Sequence, residues 1–196
     1  MVAPRVSWLL KTSGLSLREI EDAGRPAIHS VEDVPTGFGL IGSTGIGKTV
    51  VFARRFLLFA EAVVARKGPE AKFDADDRVL WLNWPETAET LKRWSTMNDP
   101  RHTDAWVEKA KGIETLYLDD LGAERSKGDD DFAGGVLREV LDSRYRDGLP
   151  VFWTSNLDGA GLAKFYGARL VSRIAQAWPG RKLAGPDLRM GKAGKP

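Results

Sequence analysis

The stretch Gly42-Ser43-Thr44-Gly45-Ile46-Gly47-Lys48-Thr49 follows the pattern glycine, any four residues, glycine-lysine-threonine. It lies between a short apolar run, GFGLI, and a long helical pattern, TVVFARRFLLFAEAVVARKG, which ends at Gly68 and Pro69. No other feature of the chain narrows the fold as much. Glycines let the main chain wrap so that its N–H groups converge on an anion, and the helix that follows presents its positive end to the same point. The spacing predicts a phosphate-binding loop in which Lys48 reaches the β- and γ-phosphates of a nucleotide and the Thr49 hydroxyl ligates Mg2+. Residues 42–50, closing on Val50, are the expected nucleotide-binding segment.

The rest of the chain alternates strand and helix patterns as such a loop requires. RVLWLNW, ETLYLDD and LPVFWTSN read as further strands, and RKLAG as a short last one. Helices are expected at PETAETLKRWSTM, DAWVEKAKG, FAGGVLREVLDSRYRDG and across GAGLAKFYGARLVSRIAQAW. This order implies an α/β domain with a central, mostly parallel five-stranded sheet and helices on both faces, a three-layer P-loop NTPase. With 196 residues, 42% of them hydrophobic, one large domain can bury a substantial core. It is expected over residues 37–190, with a short N-terminal extension at 1–36 and a basic tail at 191–196.

Composition removes several chemistries. The chain has no cysteine, which excludes disulfides, thiol catalysis and cysteine-ligated zinc, and its two histidines argue against a dedicated transition-metal site. Twenty-nine basic residues nearly balance 27 acidic ones, so net charge is no argument for nucleic acid. The most apolar long stretch is interrupted by Arg54, Arg55 and Glu61, and the N-terminus lacks a signal-peptide pattern. A soluble, cytoplasmic protein is expected.

Asp119 and Asp120 stand behind the apolar run TLYL, a costly place for two adjacent carboxylates. Magnesium bound to a nucleotide would supply the opposing charge. Asp119 is the expected metal-holding carboxylate, acting through the ion's water shell, and Asp120 would polarise the attacking water. A solvated strand end or a helix cap would also accommodate either residue. PVFWTSN delivers Thr154, Ser155 and Asn156 to another strand end, where ligands gather in open parallel sheets. Asn156 could orient the water or contact the γ-phosphate, and ordinary turn chemistry is its alternative.

These pieces together resemble the AAA+ ATPases of the helicase-loader and IstB type, represented by DnaC, DnaI and the transposition helper IstB. The matching segments are GSTGIGKT, LYLDDLGAER, LDSRYRDGLPVFWTSNLD, YGARLVSRI and LAGPDLR, in family order, with a weaker AGRPAIH before them. The resemblance implies an AAA+ fold of the ASCE class without a separate helical lid, and an ATPase requiring ATP and Mg2+. It further implies self-assembly in which an arginine of one subunit completes its neighbour's site. Arg173 is the first choice for that arginine and Arg169 the second, and Arg189 is a candidate nucleotide sensor. A guanidinium supplied in trans would stabilise charge on the transferred phosphoryl oxygens; two arginines at i and i+4 on a water-facing helix are the plainer reading. Implied partners are a replicative helicase and single-stranded DNA. Only some 35 residues precede the first strand, whereas loaders usually carry a separate helicase-gripping domain there.

From Gly161 onward eight basic residues face one acid, Asp187, an asymmetry that suits either a phosphate backbone or a solvated tail. Lys92, Arg93 and Trp94 combine types used by single-strand binders, though core packing explains the tryptophan as well. GDDD at 128–131 reads as a solvated loop. The leading expectation is a magnesium-dependent ATPase that self-assembles and remodels a protein–DNA complex as a replicative helicase loader. The alternatives are a transposition helper acting on duplex DNA with a transposase, a P-loop small-molecule kinase, and a nucleotide-gated binding module.

Overall fold

The computed structural model describes residues 37–56, 79–97, 100–124, 132–185 and 187. The expected N-terminal extension, the second half of the helix after the glycine loop, the GDDD tract, Arg189 and the basic tail lie outside the described residues. Strand β1 (Gly37–Ile41) leads through the glycine loop into α1, described over 48–56. There follow β2 (Val79–Asn83), α2 (Trp84–Thr96), α3 (Pro100–Gly112), β3 (Thr115–Leu121) and α4 (Phe132–Asp147). Then come β4 (Val151–Ser155), α5 (Gly159–Tyr166), α6 (Ala168–Ala177) and β5 (Gly180–Lys182). The five strands form one sheet in the order β2-β3-β4-β1-β5, and each neighbouring pair is parallel.

Alternation along the strands divides the interior into two cores. Tyr117 of β3 and Phe152 of β4 join Phe38, Leu40, Phe52, Phe56 and Trp81 on the face covered by α1. Across three strands in register, Trp81, Tyr117 and Phe152 stack with ring centroids 4.7 and 4.9 Å apart. Their odd-numbered or even-numbered neighbours turn the other way: Leu116, Leu118, Val151 and Trp153 pack beneath the buried stripes of α2 to α6. A period of two in the strands thus produces the three layers.

Among the boundaries that differ from the sequence reading, α3 begins at Pro100, four residues before DAWVEKAKG, β4 begins at Val151, and three others have a local reason. Trp84 begins α2 instead of ending β2, because the Asn83 side chain accepts a hydrogen bond from Glu86 N (3.2 Å) and Pro85 occupies the first turn. The expected helical material across GAGLAKFYGARLVSRIAQAW forms two helices, divided where Gly167 adopts φ 90°. The last strand is Gly180–Lys182, not RKLAG, and the ladder continues only as far as Leu183 N donating to Ile41 O (2.8 Å).

Gly39 of β1 faces the indole of Trp153, and a Cβ there would lie 2.0 Å from Trp153 Cε2. The indole is fixed in turn by its N–H donating to Trp178 O (2.9 Å). Gly39→Ala should therefore destabilise the fold by about 2 kcal/mol or more through overpacking. A urea titration followed by tryptophan fluorescence tests this, and an unchanged midpoint would show that the indole can move aside.

Arg144 on α4 is fully buried and tethers the start of two strands. Its guanidinium donates to Ala110 O (2.9 Å), Lys111 O (3.2 Å) and Ile113 O (2.8 Å), and from its other terminal nitrogen to Glu114 O (3.3 Å) and Pro150 O (2.8 Å). The last carbonyls of α3 lack partners within their helix and lie at its negative end, so a buried cation satisfies both needs. Burial pushes the guanidinium down to about 10, below its usual value, which leaves it charged at neutral pH.

Candidate functional site

The carboxyl ends of β1, β3 and β4 bring the loop, the aspartates and Asn156 together. Gly45 and Gly47 take φ of 84° and 91°, conformations closed to most side chains, and α1 begins at Lys48. The Lys48 side chain is buried, and its ammonium donates to Gly42 O (2.8 Å), Ser43 O (3.0 Å) and Asn156 Oδ1 (2.7 Å). Ser43, Thr44 and Asn156 are exposed, while Ile46 is buried and its Cδ1 covers Gly42, 2.3 Å from where a Cβ would lie. Val50 lies half-buried in the first turn of α1.

Next to the lysine, the Thr49 hydroxyl lies 3.1 and 2.9 Å from the two oxygens of Asp119. Asp119 is buried and also accepts from the Thr154 hydroxyl at 2.5 Å. Thr154 Oγ1 in turn accepts from Asp120 N (2.8 Å). The same hydroxyl thus orients the first aspartate and fixes the backbone of the second. Asp120 has φ 61°, the one non-glycine positive φ among the described residues, and it coincides with a break in the β3–β4 register between Leu118 and Leu121. Aspartate tolerates this region better than most residues, and strained backbone of this kind concentrates at functional sites.

The donor set suits a hard divalent cation. No group of three or more His, Cys, Asp or Glu among the described residues could hold a metal by itself. Thr49 and Asp119 instead offer adjacent oxygens beside a glycine cradle, the arrangement by which Mg2+ is held when phosphates and water supply the remaining ligands. A Cβ on Gly45 would lie 2.0 Å from Asp187 Oδ1, so the acidic side chain of Asp187 rests against the loop. Nothing in the sequence pattern places Asp187 there.

The arginines of α6 lie elsewhere. Arg173 forms an ion pair with Asp142 of α4 in the same chain, which raises its pKa, and Arg169 is exposed without an ion-pair partner among the described residues. Neither joins Lys48, Thr49 or Asp119 through a hydrogen bond described above. Trp94 is partly buried against the core and stacks on His102 with centroids 5.7 Å apart, in keeping with the packing alternative. Of the basic residues past Gly161, Lys164, Arg181 and Lys182 are exposed.

A further buried carboxylate carried no assignment in the sequence. Glu124 accepts from Trp84 Nε1 (2.8 Å), from Gly122 N (3.0 Å) and from the Tyr166 hydroxyl, and Tyr166 Oη itself accepts from Gly122 N (2.9 Å). Its two side-chain partners come from the start of α2 and the end of α5, 40 and 42 residues away, so no local pattern announces them.

A phosphate loop beside a buried, threonine-linked aspartate on an all-parallel sheet of this strand order defines a three-layer P-loop NTPase fold. No family profile matches the sequence, and no curated protein matches it. Solved structures do. The chain is similar to DnaI, at 26% identity over 93% of each chain with a TM-score of 0.59. It is also similar to the DnaC helicase loader, at 20% identity over 76% of this chain and 79% of that one, TM-score 0.57. A third similar structure is the replication initiator DnaA bound to AMPPCP and single-stranded DNA, at 15% identity over 95% of this chain and 52% of that one, TM-score 0.55. The fold is therefore that of a DnaC/DnaI-like AAA+ protein, as the resemblance implied. No helix among the described residues is long and apolar enough to cross a membrane.

Proposed function

We propose that the chain is a Mg-dependent ATPase that assembles with itself and remodels a protein–DNA complex, loading a replicative helicase onto single-stranded DNA. The observation that carries this reading is the convergence of three strand ends in two hydrogen-bonded pairs contributed by neighbouring loop residues, Lys48 with Asn156 and Thr49 with Asp119. The likeness to DnaI and DnaC supports the choice of a helicase as partner. The DnaA complex with AMPPCP and single-stranded DNA supports the nucleotide and nucleic-acid parts.

In this reading the loop amides and Lys48 bind the β- and γ-phosphates, with the Lys48 ammonium exchanging its carbonyl partners for phosphate oxygens. Thr49 and Asp119 would hold Mg2+, which would supply positive charge to offset that of the phosphates. Asp120 accepts the proton of the water that attacks the γ-phosphorus as the bond to the bridging oxygen breaks, giving ADP and phosphate. Asn156, already within 2.7 Å of the lysine, orients that water or the γ-phosphate. Arg169 or Arg173 of an adjacent subunit completes the charge stabilisation. Arg173 must release Asp142 to do so, whereas Arg169 is already exposed.

ATP hydrolysis measured over a protein-concentration series, with a single-stranded DNA titration at each point, tests the assembly. Turnover per subunit should rise with concentration. Mixing Lys48→Ala subunits with Arg169→Ala or Arg173→Ala subunits should restore part of the activity for whichever arginine acts in trans. Concentration-independent turnover would favour a kinase-like monomer instead. Capture of transposase but not of hexameric helicase would move the reading to a transposition helper on duplex DNA.

A further inference from the structure

A buried glutamate that no step of the proposed hydrolysis uses holds three parts of the site to one another. Glu124 is only 7% exposed, Tyr166 5% and Trp84 not at all, so their hydrogen bonds are formed without competition from water. One oxygen of Glu124 accepts from the Trp84 indole and the Tyr166 hydroxyl, and the other from Gly122 N. Gly122 N–H is shared between Glu124 Oε2 and Tyr166 Oη. The carboxyl group therefore meets three donors, the arrangement of a group that only accepts. Tyr166 has its pKa raised, first by burial and then by the adjacent glutamate, which keeps the hydroxyl protonated and able to donate.

Each anchored group borders the chemistry. Trp84 directly follows Asn83, whose register partner across the sheet is Asp119. Gly122, with φ 84°, closes the corner that opens at Asp120, with φ 61°. Two left-handed residues within three positions do not persist unless their surroundings over-determine them. Above the corner, Thr154 Oγ1 takes the Asp120 amide; below it, Glu124 and Tyr166 take the Gly122 amide. Ser155 Oγ secures the residue between by donating to Leu121 O (2.7 Å). Tyr166 is also the last residue of α5, one position before Gly167 and the helix that carries Arg169 and Arg173.

We infer that Glu124 and Tyr166 are positioning residues for hydrolysis: through Gly122 they lock the backbone corner that aims Asp120, without touching the nucleotide. The inference rests on the ATPase reading above. It separates binding from turnover, since the cradle that grips the phosphates is built from the β1–α1 loop and meets β4 through Gly42 N donating to Ser155 O (3.1 Å), whereas Glu124 and Tyr166 bond to Gly122 and Trp84.

Tyr166→Phe removes one oxygen and keeps the ring, and Glu124→Gln keeps the shape while turning one acceptor into a donor. In the full chain, affinity for a fluorescent ATP analogue should stay within about threefold of the parent, while kcat falls at least tenfold with KM little changed. Glu124→Asp, which keeps the charge but shortens the reach, should recover less turnover than the parent and more than Glu124→Gln. Parent-like kcat in Tyr166→Phe would overturn the inference, as would equal losses of affinity and turnover, which mark a merely structural role. Should Glu124→Gln fold poorly, Tyr166→Phe, which removes one oxygen and leaves the ring in place, supplies the same comparison. A parent chain without turnover at any concentration would remove the ATPase reading and this inference with it, whereas an active parent beside an unaffected Tyr166→Phe removes the inference alone.

Discussion

Lys48→Ala is expected to leave a folded chain that hydrolyses ATP at least about a hundredfold more slowly than the parent and binds it weakly. The magnitude follows from what the ammonium does in the structure. It is buried, and it bridges the loop carbonyls of Gly42 and Ser43 to Asn156 on the end of β4. A cation held in place before the phosphates arrive costs little reorganisation during reaction, and losing one such preorganised group typically lowers turnover by two to three orders of magnitude. The fold should tolerate the change, because the acceptors left behind border the exposed residues Ser43 and Asn156 and can turn to water. Calorimetric titration with ATP and Mg2+, together with a thermal melt, checks both halves. Parent-like affinity and turnover in a folded Lys48→Ala chain would defeat the assignment of the loop.

The second large effect concerns stability. Arg144→Ala removes five hydrogen bonds to main-chain carbonyls that gather at the end of α3 and the entry to β3 and β4. Left buried and unpaired, such groups cost about 1–3 kcal/mol each before relaxation, and water entering the new cavity would recover part of this. A net loss of about 3–5 kcal/mol is expected, a large share of the 5–15 kcal/mol that holds a typical domain together. Arg144→Lys should lie between Arg144→Ala and the parent, since three donors on one nitrogen cannot span carbonyls that the planar guanidinium reaches from two. Urea unfolding followed by far-UV circular dichroism measures the series. A shift below about 1 kcal/mol for the alanine variant would mean that the carbonyls find other partners.

Both residues illustrate the reach of sequence reading. Lys48 was identifiable because its chemistry is encoded contiguously: glycines, lysine and threonine act within eight residues, and their spacing carries the geometry. The same holds for Asp119 and for the strands with continuous apolar runs, which the structure places in the sheet as expected. Arg144 was not identifiable. Its sequence surroundings, LDSRYRDG, suggest an exposed polar turn of a helix, and only the packing of α4 across the ends of α3 and β4 makes it the most deeply buried cation among the described residues. Helix boundaries at Trp84 and Gly167 depended on side-chain capping and on one positive φ, neither of which periodicity reports.

The site divides along the same line. The one-dimensional pattern pointed to a glycine loop followed by an acidic strand tip and a polar one, because each motif occupies a few adjacent residues and the alternation of strand and helix forces their carboxyl ends to one edge of a parallel sheet. Strand order, the Thr154 link between the two aspartates, the carboxylate of Asp187 beside Gly45 and the Glu124–Tyr166 cluster were decided by the tertiary structure alone. Those contacts join residues tens to more than a hundred positions apart. Which buried polar groups meet at such separations depends on how two cores pack on opposite faces of the sheet, and local propensity carries no record of that.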